Sequence, residues 1–176
     1  MTPNPRGDPR GDSGRDPGAD RAAIHDLLAE YGALLDGEKY DEWLDLFAAE
    51  CRYNVVPREN YDRGLPAALI FCDSRAMLED RIRALREANK FNIHKDRHLI
   101  GLPRIIGSHA DGLEPGDLEI EAPFAVYQTD QEGETRLFAT GLYRDRLAVG
   151  HGSPRIRDKL ILLDTFAVPS LLATPL

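Results

Sequence analysis

His94, Asp96 and His98 alternate over five residues, and both histidines can bind a metal ion or move a proton. On a helix, imidazoles four positions apart share a face, as the ligands of a divalent cation must. Gly101, Pro103 and the apolar residues between His98 and Ile106 favour a helix end or a strand here. No third and fourth ligand stands at a recognisable spacing, so these histidines read as members of a polar network. A second set, Tyr31, Asp45, Tyr53, His98 and Tyr127, could carry the acid–base chemistry of an isomerase or dehydratase if the fold gathered it around one cavity. The simpler reading is that core tyrosines pack their rings and bond their hydroxyls, while aspartates near helix ends cap or pair. Arg75, Arg81, Arg83, Arg86 and Arg97 form a third set, close to Asp73, Glu79, Asp80 and Asp96. They can pair within the chain, or present planar forks to carboxylates of a partner subunit.

Other chemistries find no support. No Gly-x-Gly-x-x-Gly run follows a strand and no Walker loop is present. Cys51 and Cys72 are isolated from each other and from histidine, so two cysteines alone offer no iron–sulfur ligand set. Both lie in apolar, strand-like surroundings and read as reduced, buried thiols.

The elements that position these residues centre on Asp73–Pro103. Asp73 or Ser74 is a helix cap. Met77, Leu78, Ile82 and Leu85 make one apolar helical face, and the pattern breaks after Asn89 before strand character begins at Arg97. Upstream, Ile24, Leu27, Leu28, Tyr31, Leu34 and Leu35 predict an amphipathic helix with Asp20 as N-cap and Gly37 past its end. Tyr40, Trp43, Leu44 and Phe47 predict a second, short helix, and Cys51–Val56 a strand stopped by Pro57. Arg58–Pro66 reads as a polar loop and Ala67–Cys72 as a short strand. Downstream, Arg97–Ile106 is a strand bent at Gly101 and Pro103. Leu118–Thr129, Thr135–Val149 and Ile156–Val168 are long strands joined by turns, an antiparallel meander. The tail, Leu171–Leu176, is apolar to its last residue and must pack on its own domain or on another subunit.

Helices followed by a long, strongly bent antiparallel sheet define an α+β domain. A sheet so curved wraps its helices as the cone of the cystatin-like (NTF2-like) fold. The 176 residues suit one domain, residues 21–176. Residues 1–20 are Pro, Gly, Asp and Arg with almost nothing apolar, and are expected to be disordered. Their two Arg-Gly-Asp triplets are products of that composition. A net charge of −8 argues against nucleic acid or an anionic membrane as partner. The absence of a long apolar run or signal segment places the protein in the cytoplasm.

Three stretches carry a family likeness: Glu38–Val55 (EKYDEWLDLFAAECRYNV), Glu59–Pro103 with its Asp73–Asn89 and Arg97-His98 segments, and Leu162–Leu176 (LLDTFAVPSLLATPL). Together they resemble the small (β) subunits of aromatic-ring-hydroxylating dioxygenases, in the branch acting on terephthalate, anthranilate, salicylate and halobenzoates. The resemblance covers Arg21–Leu176 and implies the same cone. It implies a large (α) subunit as partner, usually in an α3β3 hexamer whose β subunits form a trimer. In that family the α subunit carries a Rieske two-iron, two-sulfur cluster and a mononuclear Fe(II), and NADH supplies electrons through a separate reductase. This chain is then expected to bind no cofactor, to hold no catalytic residue and to support hydroxylation of an aromatic carboxylate. Arg75, Arg81, Arg97, His98, Leu171, Leu172 and Leu176 are the expected subunit contacts. The alternatives are a free-standing dehydratase or isomerase of the same fold, and a small-ligand binding module.

Overall fold

A computed structural model describes residues 17–88, 93–108, 113–150, 152–165, 172 and 174–176. Helix α1 (Pro17–Asp36) starts earlier than Asp20, on a proline whose fixed φ suits a first turn. Disorder is expected for residues 1–20; residues 17–20 instead begin α1, and residues 1–16 lie outside the described residues. The six apolar positions of α1 are all buried, as their spacing predicts. The helix closes in a Schellman arrangement, with Lys39 N–H donating to Leu34 O at 2.9 Å and Glu38 N–H to Leu35 O at 3.0 Å. The left-handed residue of that cap is Glu38, φ 57°, rather than Gly37.

Helix α2 (Tyr40–Leu44) is shorter than predicted, because Phe47 already belongs to strand β1 (Phe47–Pro57). Phe47 is still buried, since the turn directs it to the same core. Part of the predicted polar loop forms the short helix α3 (Arg58–Asp62), before strand β2 (Ile70–Cys72). Helix α4 (Arg75–Ala88) buries Leu78, Ile82 and Leu85, but Met77 is 41% exposed. Met77 precedes Leu78 by one position, a rotation of about 100° away from the core.

The remaining strands are β3 (His94–Ile100), β4 (Arg104–Gly107), β5 (Asp117–Asp130), β6 (Thr135–Ala148) and β7 (Arg155–Leu163). They form one seven-stranded sheet of order β2-β1-β7-β6-β5-β3, with β4 also on β5. β5, β6 and β7 are the expected antiparallel meander. The sheet as a whole is mixed, because β1 runs parallel to β7 with Tyr53 opposite Lys159. The long chain between β1 and β7 supplies the connection that parallel pairing demands. The bend predicted at Gly101 and Pro103 separates β3 from β4, and both pair with β5. A Cβ on Gly101 would lie 2.7 Å from Pro123 Cγ, so only glycine lets the two strands approach there.

The outer sheet face is laced by ion pairs across neighbouring strands. Asp117 receives Arg146 at 2.7 Å and Arg157 at 3.1 Å, one on each oxygen. Glu121 receives Arg104 at 2.8 Å and also Arg144. The Arg144 guanidinium, helped by Arg104, holds the Glu121 carboxyl below the usual glutamate range. A depressed folded pKa contributes stability that is complete above that range and is lost as pH falls through the folded value. Glu121→Gln is therefore expected to cost about 1 kcal/mol at neutral pH and to flatten the acid limb of a melting-temperature profile between about pH 5 and 3. Parallel profiles for both proteins would show that the pair contributes nothing.

Candidate functional site

Alternation along the meander points Tyr143 and Asp145 of β6 and Lys159 of β7 into the cone. Tyr31 of α1, Trp43 of α2 and Tyr53 of β1 meet them there, all fully buried. Tyr31 lies 5.7 Å from Trp43 and 5.8 Å from Tyr143, centroid to centroid, and Trp43 lies 5.8 Å from Tyr53. Beneath these rings Lys159 Nζ donates to Asp145 Oδ2 at 2.8 Å, and both side chains are 0% exposed. The ammonium also sits 3.4 Å from the Tyr143 centroid and 4.2 Å from that of Tyr31. Those ring faces and Asp145 compensate part of its lost hydration. Burial pushes the Asp145 carboxyl up and the Lys159 ammonium down, each opposed by the charge of the other. Burial likewise raises the Tyr31, Tyr53 and Tyr143 phenols, so all three stay protonated and able to donate.

The chain's last residues occupy this interior. Tyr31 Oη donates to Leu176 O at 2.5 Å, Tyr53 Oη to the same oxygen at 3.2 Å, and Leu176 N–H donates to Tyr53 Oη at 2.9 Å. Leu176 is 2% exposed, and Arg81 Nη2 holds the approach to it by donating to Leu172 O at 2.9 Å. Among the described residues, Trp43 Nε1, Tyr143 Oη and Asp145 Oδ1 are buried without a hydrogen-bond partner.

A cleft of about 470 Å³ marks the mouth of the cone, lined by Asp36, Tyr40, Arg86, His94, Asp96 and Thr174. Burial, with Glu38 and Asp96 nearby, pushes the Tyr40 phenol up to about 12 against the opposing charge of Arg86. Asp36 caps the start of the inner wall: its Oδ1 lies 2.7 Å from His98 Nδ1 and accepts the His98 backbone N–H at 3.0 Å. His94 Nε2 lies 3.4 Å from Asp96, which also accepts from Gln128 at 3.3 Å. The histidines thus sit in a polar network. Among the described residues no group of three or more His, Cys, Asp or Glu side chains could hold a metal ion. Cys51 and Cys72 are buried on paired strands with their thiols pushed up by burial, the wrong state for thiolate ligands. These donors do not fit an iron–sulfur cluster.

The acid–base set named from the sequence does not assemble. Tyr31 and Tyr53 converge on the interior and His98 lines the inner wall, but Asp45 is exposed beside Arg75, and Tyr127 is on the outer sheet face. Asp145 and Lys159 were missed, although each interrupts an apolar inward alternation, Gly141-Tyr143-Asp145-Leu147 and Lys159-Ile161-Leu163. Of the expected subunit contacts, Arg75 donates to the Leu44 and Phe47 carbonyls at 2.9 and 3.2 Å. Arg81, His98 and Leu176 likewise make intrachain bonds, Leu172 is half-buried, and Leu171 lies outside the described residues. Arg97 reaches Asp36 at 3.1 Å yet keeps 71% of its side chain exposed.

Helices wrapped by a bent mixed sheet around a tyrosine-lined interior define an NTF2-like α+β domain. Its frame matches a protein assigned as a scytalone dehydratase from Novosphingobium aromaticivorans, with TM-score 0.63, 13% identity, and 84% and 85% of the two chains covered; this likeness shows the fold alone. The sequence profile of the ring hydroxylating β subunit family matches residues 32–170, and the chain belongs to that family. It is 35% identical over 148 residues to the terephthalate 1,2-dioxygenase terminal oxygenase component subunit β2 of a Comamonas species, covering 84% of this chain and 93% of that one. It is 33% identical to the anthranilate 1,2-dioxygenase small subunit of Burkholderia cepacia, covering 87% and 92%. A crystal structure assigned as the β subunit of an aromatic-ring-hydroxylating dioxygenase from N. aromaticivorans superposes with TM-score 0.80 at 41% identity, covering 90% and 98%. Membership of this family implies an α subunit as partner. Among the described residues no helix is long and apolar enough to cross a membrane.

Proposed function

We propose that this chain is the structural β subunit of the terminal oxygenase of a multicomponent dioxygenase that hydroxylates an aromatic carboxylate in the cytoplasm. The observation that carries this reading is the similarity to terephthalate and anthranilate dioxygenase small subunits over 84% and 87% of this chain. The Rieske cluster and Fe(II) then belong to the α subunit, with NADH feeding electrons through a reductase, and this chain holds no catalytic residue. Its task is geometric: a trimer of β subunits keeps three α subunits in register as an α3β3 hexamer. The outer sheet face offers a surface for that contact. Arg97, Tyr127 and Leu137 stand in one cross-strand row of β3, β5 and β6, with Leu99 beside them. Leu99 and Leu137 are 55% and 49% exposed, which is apolar area that assembly would cover. A free-standing dehydratase would need an open interior, whereas Leu176 fills this one.

Native mass by light scattering, with iron content, tests the proposal on the chain alone and co-expressed with its α subunit. The expected result is an iron-free chain that joins an iron-containing hexamer. Leu137→Glu is expected to reduce hexamer yield by about ten-fold or more while leaving the melting temperature of the lone chain in place. A chain that ignores the α subunit would overturn the assignment, and normal assembly of the Leu137→Glu chain would remove this face from it.

A further inference from the structure

At the mouth of the cone the charges do not balance locally. Strand β3 turns His94, Asp96 and His98 to its inner face. Asp36, at the end of α1, is met by His98 and Arg97. Glu38 receives Lys95, and Arg86 of α4 reaches Asp41 at 2.8 Å. Asp96 is left without a lysine or arginine partner. Its side chain is 9% exposed, its Oδ1 accepts from the neutral amide of Gln128 at 3.3 Å, and its Oδ2 lies 3.4 Å from His94 Nε2. A carboxylate so buried is costly unless a positive charge compensates it. His94 is buried to the same depth, and among the described residues its Nδ1 has no hydrogen-bond partner. In a neutral imidazole the proton follows the better acceptor, so Nε2–H faces Asp96 and Nδ1 offers a lone pair. Both side chains line the mouth cleft of about 470 Å³. The same cleft has an apolar wall of Leu35, Leu85 and Ile93.

From this geometry we infer that the mouth cleft is a binding site for a small primary alkylammonium ion, held by Asp96 and His94 Nδ1. A primary ammonium carries three N–H donors and one positive charge, and so supplies what both groups lack. Its alkyl stem lies along Leu35, Leu85 and Ile93. A metal ion is the wrong occupant, because among the described residues no group of three or more His, Cys, Asp or Glu side chains could hold one. An anion is opposed by Asp36, Glu38 and Asp96, while Arg86 and Lys95 on the same walls are already paired. The negative field is felt at Tyr40, where burial and then the charges of Glu38 and Asp96 push the phenol up.

The test uses the full chain and n-butylammonium chloride. Long-range proton–nitrogen spectra of the histidine side chains at about pH 7.5 read the site directly. In the free chain His94 is expected as the neutral tautomer with its proton on Nε2, and the probe is expected to shift its Nδ1 signal. An imidazolium at His94 in the free chain overturns the inference, because His94 would then itself be the cation for Asp96. Calorimetry is expected to give a dissociation constant of about 1 mM or below for the ammonium, and no binding of butan-1-ol or butyrate, which keep the stem without the positive charge. Asp96→Asn is expected to weaken binding by about ten-fold or more. Glu132→Gln, in the exposed turn between β5 and β6, removes the same charge from the chain and is expected to leave the affinity unchanged. Equal losses in the two variants overturn the inference, as does equal binding of the alcohol. If Asp96→Asn loses cooperative melting, the unaltered chain decides: an Nδ1 signal that stays in place at about 20 mM probe overturns the inference.

Discussion

Lys159→Met is expected to lower the free energy of unfolding by about 3–5 kcal/mol, because it breaks a fully buried ion pair. The reason is the partner left behind. Asp145 is 0% exposed, its Oδ2 is bonded to Lys159, and its Oδ1 has no partner among the described residues. Without the ammonium the carboxylate is an uncompensated charge in a low-dielectric interior, and it escapes by taking up a proton. Its folded pKa, already raised by burial, then rises further. A carboxyl whose folded pKa lies above its unfolded one is stable when protonated, and stability is lost as pH rises through the folded value. The deficit of Lys159→Met is therefore expected to grow as pH rises from about 5 to 8. Replacing both partners, Lys159→Met with Asp145→Leu, is expected to recover most of the loss, because no charge remains to be hydrated. Urea unfolding of the two single variants and the double variant measures this as a cycle. Additive losses would mean that the two charges do not act as a pair.

The second large effect is expected at Gly141, where a methyl group has no room. An ideal Cβ there would lie 2.0 Å from Leu162 O and 3.0 Å from Phe124 Cε1. The obstruction is backbone on one side and a ring on the other, so the strand itself must move. That ring is the one stacked on Tyr143, centroids 4.2 Å apart and planes 7° from parallel. Gly141→Ala is expected to cost about 3 kcal/mol and to disturb the near-ultraviolet signal of the interior aromatics. Gly133→Ala is the contrast. Its φ of 86° strains an alanine, but nothing lies within 4 Å, so its cost is expected to be about 1 kcal/mol with the aromatic signal unchanged. Equal costs at the two glycines would show that close packing at Gly141 does not shape the cone.

Local chemistry in the chain was enough to determine most of the order of the elements, though not helix α3, which forms in a stretch that reads as polar loop. The apolar spacing of α1, the alternation in β5 and β6, and the glycine–proline break between β3 and β4 each act over a few residues. Hydrophobic periodicity reports such short-range geometry directly. The family likeness was legible for a related reason: the residues that carry it lie in contiguous stretches. Errors fell where a neighbour in space outweighed the local pattern. Phe47 left its helix for β1 because β7 offered a parallel partner, and Met77 faced solvent because α4 needs only three of its apolar residues on the sheet.

The candidate site was decided by the tertiary structure. Tyr31, Tyr53, Asp145, Lys159 and Leu176 come from five places along the chain, and Tyr31 is 145 positions from the residue whose carbonyl it holds. No spacing rule links residues so far apart. The curvature of the sheet brings them together, and that depends on where strands bulge and where glycine lets backbone approach backbone. The same distances explain why Asp45 and Tyr127 dropped out of the acid–base set: whether a side chain faces into the cone or away from it is set by register, which long-range pairing decides. Sequence alone thus determined the type of domain and its family. Only the folded chain decided that the interior holds a buried ion pair under a tyrosine cage, with the chain's own residue inside it.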